Sequence, residues 1–145
     1  STDPLLKAGR EILKPEGAYR AMNSAYEMAG VSAADVNVAE IHDCFTVMGA
    51  IGTEVIGKAG YGEGAKYWVD GKADAKGECG INTSGGLIAK GHPVGATGVA
   101  MIGWAAWQLQ SKVPPELQVP DPKLAATFNI GGPICASVCT VLRHG

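Results

Sequence analysis

Apolar positions mark out the elements. Ala18, Tyr19, Met22, Ala25, Tyr26 and Ala29 recur at helical spacing, behind Pro15 in first-turn position and ahead of a closing Gly30. Ser32-Ala33-Ala34-Asp35 has the form of a capping box and predicts a single turn. Val36 to Ile41 alternates and is rich in β-branched residues, which predicts a short strand. Asp43 is expected to cap a helix from Cys44 to about Ile56, in which Gly49 and Gly52 leave room for close packing. Residues 57–80, glycine-rich and carrying Tyr61, Tyr67 and Trp68, read as one long loop. Its aromatics either pin that loop to the body, the simpler expectation, or pack over a substrate channel. Val99 to Gln110 is apolar nearly all round and predicts a buried helix. The prolines between Pro114 and Pro122 predict an irregular connection. Leu124–Ile130 and Ile134–Leu142, flanking Gly131-Gly132-Pro133, predict a closing hairpin. The first fourteen residues carry no clear pattern. Helices alternating with strands in this order imply an α/β sandwich with a mixed sheet.

Composition narrows the function classes. A chain of 145 residues fits one domain with a real core. Charged residues are only 18 % and hydrophobic ones 46 %, so a large buried fraction or a covered face is expected. The net charge of −2, without a basic run, points away from nucleic acid and anionic membranes. Neither end carries a signal-peptide or peroxisomal pattern, no apolar run reaches spanning length, and a cytoplasmic location is expected. Cys44, Cys79, Cys135 and Cys139 contain no Cys-x-x-Cys pair, so four free thiols and no metal site are expected.

Candidate chemistry concentrates in two places. From Asn82 to Gly98 the chain holds Gly85, Gly86, Gly91, Gly95 and Gly98 with a single imidazole, His92, followed by Pro93. Such a run means close backbone approach or positive φ, and it feeds directly into a helix start. At the strand-to-helix junction stands Glu40-Ile41-His42-Asp43-Cys44-Phe45, where side chains commonly point into a site. By itself this second string also suits a structural cysteine beside a capping aspartate.

The run Asn82–Gly98 resembles, position by position, the glycine-histidine-proline loop of the thiolase superfamily. His42-Asp43-Cys44-Phe45 is similar to the motif of its sterol-carrier-protein-type branch. Other branches place a catalytic cysteine in a C-terminal Cys-x-Gly, and this chain has Asn129-Ile130-Gly131 there, in agreement. The resemblance runs from roughly Gly17 to Arg143. It implies the second βαβαβαββ half of the thiolase fold, with residues 1–14 as a lead-in from a missing first half and 15–145 as the domain.

It further implies an acyl-CoA acyltransferase, making or breaking 3-oxoacyl-CoA by Claisen chemistry. Cys44 would be the acid/base thiol. His42 would hold a water or donate to the thioester oxygen. His92 would activate the nucleophile and help form an oxyanion hole, kept neutral if the following helix start faces its ring. Ser84, Gly85, Gly91, Pro93, Asn129, Gly131 and Gly132 would line the acyl-CoA site. Coenzyme A thioesters would be substrates, with no further cofactor. The family's nucleophile, a Cys-x-Ser cysteine at a helix start, belongs to the first half. Cys135-Ala136-Ser137 has that form but falls in the expected last strand, so it is not taken as the nucleophile. The implied partners are a thiolase first half, in the same or another chain, further copies in a homo- or hetero-oligomer, and in some relatives a zinc-ribbon acyl-CoA-binding protein. Two other readings remain: a thiolase-like aldolase subunit, and a non-catalytic acyl-CoA-binding scaffold.

Overall fold

A computed structural model describes residues 13–145. All but the last two residues of the expected lead-in 1–14 lie outside that range. The order is α1 (Glu16–Ala29), a 3-10 turn (Ala33–Asp35), β1 (Val38–Ile41), α2 (Thr46–Val55), α3 (Gly64–Val69), β2 (Gly80–Ile81), α4 (Gly86–Lys90), α5 (Thr97–Leu109), β3 (Leu124–Gly131) and β4 (Ala136–Arg143). The sheet order is β2-β1-β3-β4; β1 runs parallel to β2 and β3, and β4 closes antiparallel on β3. This is the expected α/β sandwich on a mixed sheet.

Strand alternation divides the core into two. Ala39 and Ile41 of β1 join Leu124, Ala126 and Phe128 of β3 beneath α1 and α2, with Met22 and Tyr26 from α1. On the opposite face, Val38 and Ala125 meet Ala105 and Leu109 of α5. Fully enclosed Phe128, Met22 and Ile41 contribute roughly 1.5–3 kcal/mol each by leaving water. Tyr26 adds a long-range tie, its hydroxyl donating to the Ile56 carbonyl at 2.8 Å. Gly30 ends α1 in left-handed geometry at φ 65°, as its sequence position suggests. Asp35 accepts both the backbone N–H and the hydroxyl of Ser32, completing the capping box.

Four sequence expectations change. Asp43 does not cap α2, which starts at Thr46 behind Phe45; its carboxylate reaches α4 instead. The stretch 57–80 is not one loop. It holds α3 and the first residue of β2, because buried Glu54 accepts the N–H groups of Gly62 and Gly64 and draws the chain back onto α2. The helix after the glycine run is not buried all round. Met101, Ala105 and Leu109 pack inward, whereas Val99, Ile102 and Trp107 are exposed. Cys135 precedes the last strand, in the turn between β3 and β4.

Glycine positions in α3 and α5 supply a paired test. A Cβ on Gly64 would lie 2.1 Å from the Ala50 carbonyl oxygen, a backbone atom that cannot step aside; one on Gly103, inside α5, would meet nothing within 4 Å. Gly64→Ala is therefore expected to cost about 1–3 kcal/mol by overpacking. Gly103→Ala is expected to gain roughly 0.5–1 kcal/mol from helix propensity. Urea midpoints of the two variants, moving in opposite directions, check this.

Candidate active site

The end of β1 is clamped to the glycine-rich segment at three points. Asn82, in left-handed geometry at φ 51°, uses its side-chain amide as an extra sheet partner. Its Oδ1 accepts Ile41 N–H at 2.7 Å and its Nδ2 donates to Ile41 C=O at 3.0 Å. Glu40, only 1 % exposed, accepts the Ser84 hydroxyl at 2.5 Å and the Ser84 N–H at 3.3 Å. Asp43 accepts the Leu87 N–H at 2.6 Å, at the start of α4. Gly86 is required beneath that carboxylate: it holds φ 59°, and a Cβ there would fall 2.2 Å from Asp43 Oδ2.

A second set of bonds seats the far side of the segment. The Thr83 hydroxyl accepts the indole N–H of Trp104 at 2.9 Å and the side-chain amide of Gln108 at 2.8 Å, both from α5. Gln108 is fully buried, and it also donates to Leu117 C=O and accepts Val119 N–H. One amide thus fastens α5, the glycine-rich segment and the proline-rich connection together, leaving no buried polar cost of its own.

These ties bring two imidazoles together. The His42 and His92 rings meet edge-on, with centroids 4.9 Å apart and planes at 87°. His42 is buried and its Nδ1 lies 2.7 Å from Asn129 Oδ1, a carbonyl oxygen that only accepts. His42 therefore carries its proton on Nδ1. His92 is exposed, and its Nδ1 lies 2.7 Å from the Thr97 hydroxyl, which itself donates to Pro93 C=O at 3.2 Å. The hydroxyl thus bridges the ring to the loop backbone and holds His92 by Nδ1. Each Nε2 is left without a hydrogen-bond partner among the described residues. The expected closeness of His92 to the α5 start takes the form of this bond to Thr97, the first residue of α5.

Electrostatics fix the resting protonation. Burial holds the His42 imidazole below its ordinary value, with His92 pressing the same way against the Asn129 hydrogen bond, so His42 is neutral at pH 7. Cys44 is half-buried against the rim of the main core. Burial raises its thiol, and the neighbouring Asp43 carboxylate adds to that, outweighing the backbone N–H groups of Cys44 and Phe45 that meet the sulphur. Cys44 thus rests as a thiol, with its proton in place. Burial raises the Glu40 carboxyl to about 7, against the hydrogen bonds from Ser84 and the charge of Lys90.

The other sequence candidates distribute around this centre. Asn129 orients His42 directly. Gly91, Pro93 and His92 sit together between α4 and α5, and Gly85 opens α4 at φ 92°. Ser84 turns its hydroxyl inward to Glu40. Gly131 and Gly132 lie at the exposed hairpin turn, two and three residues beyond Asn129 and therefore at the same end of the sheet. Cys135 lies past that turn, and its sulphur is 3.9 Å from Pro133 C=O. A cleft of about 290 Å³, bounded by Asp43, Thr46, Ala50, Ala65, Trp68 and Ile88, opens beside the junction. Of the three aromatics in 57–80, Trp68 walls this cleft, Tyr67 is buried in the core and Tyr61 is exposed. Sequence reading assigned no role to Glu40, Thr83, Trp104 or Gln108, whose partners are all distant along the chain. The spacing of Asn82 and Thr97 within the glycine run is the signal that marks those two.

Comparison with known proteins gives the family and the fold. Residues 3–144 match the family described as thiolase C-terminal domain-like. An acetyl-CoA acetyltransferase of Methanothermobacter thermautotrophicus is 37 % identical over 123 residues, 85 % of this chain and 32 % of its own length. The benzoylsuccinyl-CoA thiolase subunit BbsB of Thauera aromatica is 34 % identical, over 85 % of this chain and 32 % of its own. Human sterol carrier protein 2 is 40 % identical over 84 % of this chain and 23 % of its own. The chain therefore spans about a third or less of the curated relatives it matches. A solved structure, an Ltp2-ChsH2(DUF35) aldolase, superposes with a TM-score of 0.81 at 19 % identity, over 97 % of this chain and 35 % of that one, and shows the same fold.

The neutral His42 has a thermodynamic signature. Its pKa is depressed in the folded state, so below about pH 6.5 the unfolded chain binds a proton that the folded chain refuses. Its contribution to stability is therefore present above that pH and lost as pH falls toward the folded pKa. The raised Glu40 acts oppositely, favouring the folded state as pH falls from about 7. The two partly cancel in the wild type. The stability of wild type minus that of His42→Gln is expected to decline as pH drops from 6.5 to 5 and to be flat above 7, read from urea midpoints across pH.

Proposed function

We propose, from the premise that the chain belongs to the thiolase family as its C-terminal domain, that it supplies the acid/base half of an acyl-CoA acyltransferase. The observation that carries this reading is the pair of imidazoles meeting edge-on, each held through Nδ1 with no partner at Nε2 among the described residues, and a protonated Cys44 two residues on from His42.

The roles follow from protonation state. In thiolytic cleavage of a 3-oxoacyl-CoA, His92 Nε2 takes the proton of a nucleophilic cysteine contributed by the first half of the fold. That thiolate adds to the 3-keto carbon, and the protonated Nε2 donates to the oxyanion that forms. The C2–C3 bond then breaks, and its electron pair stays on C2 as the enolate of acetyl-CoA. Cys44 gives its proton to C2, and a thiol held protonated by burial is set for that step. The thiol of an incoming CoA then takes the acyl group from the nucleophilic cysteine and gives its own proton to the Cys44 thiolate, which releases acyl-CoA and restores both cysteines. His42, neutral with its proton on Nδ1, accepts through Nε2. It is suited to holding a water that donates onward to the thioester oxygen, rather than donating itself. Condensation is the same sequence reversed. The cleft walled by Trp68, Ile88 and Ala65 offers an apolar seat for the acyl portion.

The first half of the fold, in the same or another chain, is the natural cover for the exposed apolar residues Val99, Ile102 and Trp107 of α5. Larger oligomers and a zinc-ribbon acyl-CoA-binding partner belong to the same reading, and CoA thioesters are its only small molecules.

The test is thiolysis by the complete protein as isolated from its source. His92→Ala and Cys44→Ser are each expected to lower kcat by about 10²–10⁴-fold with little change in KM. Wild-type rates in both variants would overturn the assignment. Cleavage of a 3-hydroxyacyl-CoA without added CoA would instead establish the aldolase reading, and acyl-CoA binding without turnover the scaffold reading.

A further inference from the structure

We propose that Trp68 sets how long an acyl chain the site accepts, its indole standing as a wall between the apolar cleft beside the β1–α2 junction and a second cavity. The inference deepens the acyltransferase reading and rests on it for the identity of the ligand, an acyl-CoA.

The cleft owes its existence to small residues. Gly49 and Ala50 of α2 and Ala65 of α3 line it, and none has a side chain long enough to fill the gap between the helices. Its mouth lies at the candidate site. Asp43, between His42 and Cys44, borders it, and so does Ile88 of α4, the helix that leads to His92. The Asp43 carboxylate is already engaged by Leu87 N–H. A chain whose thioester sits at Cys44 enters here and ends against the indole.

That indole is tied in place. Its Nε1–H donates to the Thr53 hydroxyl at 2.9 Å, and this wholly buried hydroxyl donates in turn to Gly49 C=O at 2.8 Å. An indole nitrogen only donates and a carbonyl only accepts, so the bonds run one way and fasten the ring to α2. Anchoring α3 does not require this. Tyr67 already sits in the core, and Glu54 already accepts the N–H groups of Gly62 and Gly64. Trp68 nevertheless stays 36 % exposed. A large aromatic ring held rigid with surface left open is suited to bordering a ligand.

Room lies on the other side. A cavity of about 410 Å³, lined by Ala73, Ala75, Ile81 and Leu117 among others, shares Trp68 with the cleft of about 290 Å³, and no other described residue borders both. The polar side chains from the glycine-rich segment that reach this cavity are engaged: Asn82 with Ile41, Ser84 with Glu40, Thr83 with Trp104 and Gln108. Asp74 apart, the rest of the lining is aliphatic or glycine. A hydrocarbon chain reaching this space therefore leaves water without stranding those polar groups. Trimming the indole joins the two spaces.

The experiment measures binding to the complete protein, by calorimetry, of butanoyl-CoA and dodecanoyl-CoA, which carry no 3-oxo group and so no C2–C3 bond to cleave. In Trp68→Ala the affinity for dodecanoyl-CoA relative to butanoyl-CoA is expected to rise about tenfold or more over the wild type, because methylenes newly housed in an apolar pocket each add to binding. Trp68→Leu, which lowers the wall but keeps an apolar, helix-forming side chain, is expected to move the ratio the same way by less, and serves if the alanine variant does not fold. A merely structural tryptophan would weaken both thioesters alike. An unchanged or falling ratio therefore overturns the proposal and leaves the acyltransferase reading untouched. Failure of the wild type to bind either thioester overturns both. A ratio that rises in a protein unable to cleave any 3-oxoacyl-CoA supports the wall and removes the acyltransferase reading in favour of acyl-CoA binding alone.

Discussion

Everything at the candidate site depends on one strand end being stitched to a segment more than forty residues away. Ile41 presents its N–H and C=O to the Asn82 amide, Glu40 takes Ser84, and Asp43 takes Leu87. β2 is only two residues long, too short a ladder to hold the glycine-rich run by backbone pairing alone. Side chains therefore replace the missing ladder rungs. Bonds that backbone N–H groups donate to buried carboxylates are among the stronger contacts available, which suits a segment with this much glycine. Together with the Thr83 bonds to Trp104 and Gln108, they seat the segment so that His92 meets His42 edge-on.

The stitching also fixes how the two rings are held. Asn129 and Thr97 each hold an imidazole by its Nδ1, and neither Nε2 has a hydrogen-bond partner among the described residues. The Thr97 hydroxyl also reaches Pro93 C=O, which ties the His92 ring to its own loop. Gly98 follows directly, where a Cβ would fall 2.8 Å from Asn129 Nδ2, so the residue after Thr97 must be bare for Asn129 to reach His42. Two hydroxyl–imidazole and amide–imidazole pairs, a glycine and a proline carbonyl thereby form one unit, and its parts are not separately replaceable.

Local signals in the sequence were largely sufficient for the elements they mark. The α1 periodicity, the Ser32–Asp35 capping box and the closing hairpin all stand in the structure. The glycine-histidine run and the His-Asp-Cys-Phe string pointed to the family because each is contiguous. What escaped was non-local. Asp43 looked like a cap for the helix that follows it, yet its carboxylate serves a helix start 44 residues on. α3 hid in a glycine-rich stretch because Glu54, outside it, supplies the acceptor that folds it back. α5 read as wholly buried because it is apolar nearly all round, yet only the face of Met101, Ala105 and Leu109 meets the sheet, and Val99, Ile102 and Trp107 are exposed. Glu40 carried no local signal at all, since its only mark is burial beside a serine distant in sequence.

The central claim is that this domain carries the groups that make and quench a thioester enolate. Solvent exchange into acetyl-CoA tests it most directly, because enolisation needs the acid/base thiol and the oxyanion donors but not the acyl-accepting cysteine. The complete protein would be incubated with acetyl-CoA in deuterium oxide and the label in the acetyl methyl read by mass spectrometry. The account predicts exchange well above the solution rate, falling by about 10²-fold or more in Cys44→Ser. Exchange at the wild-type rate in that variant would contradict it.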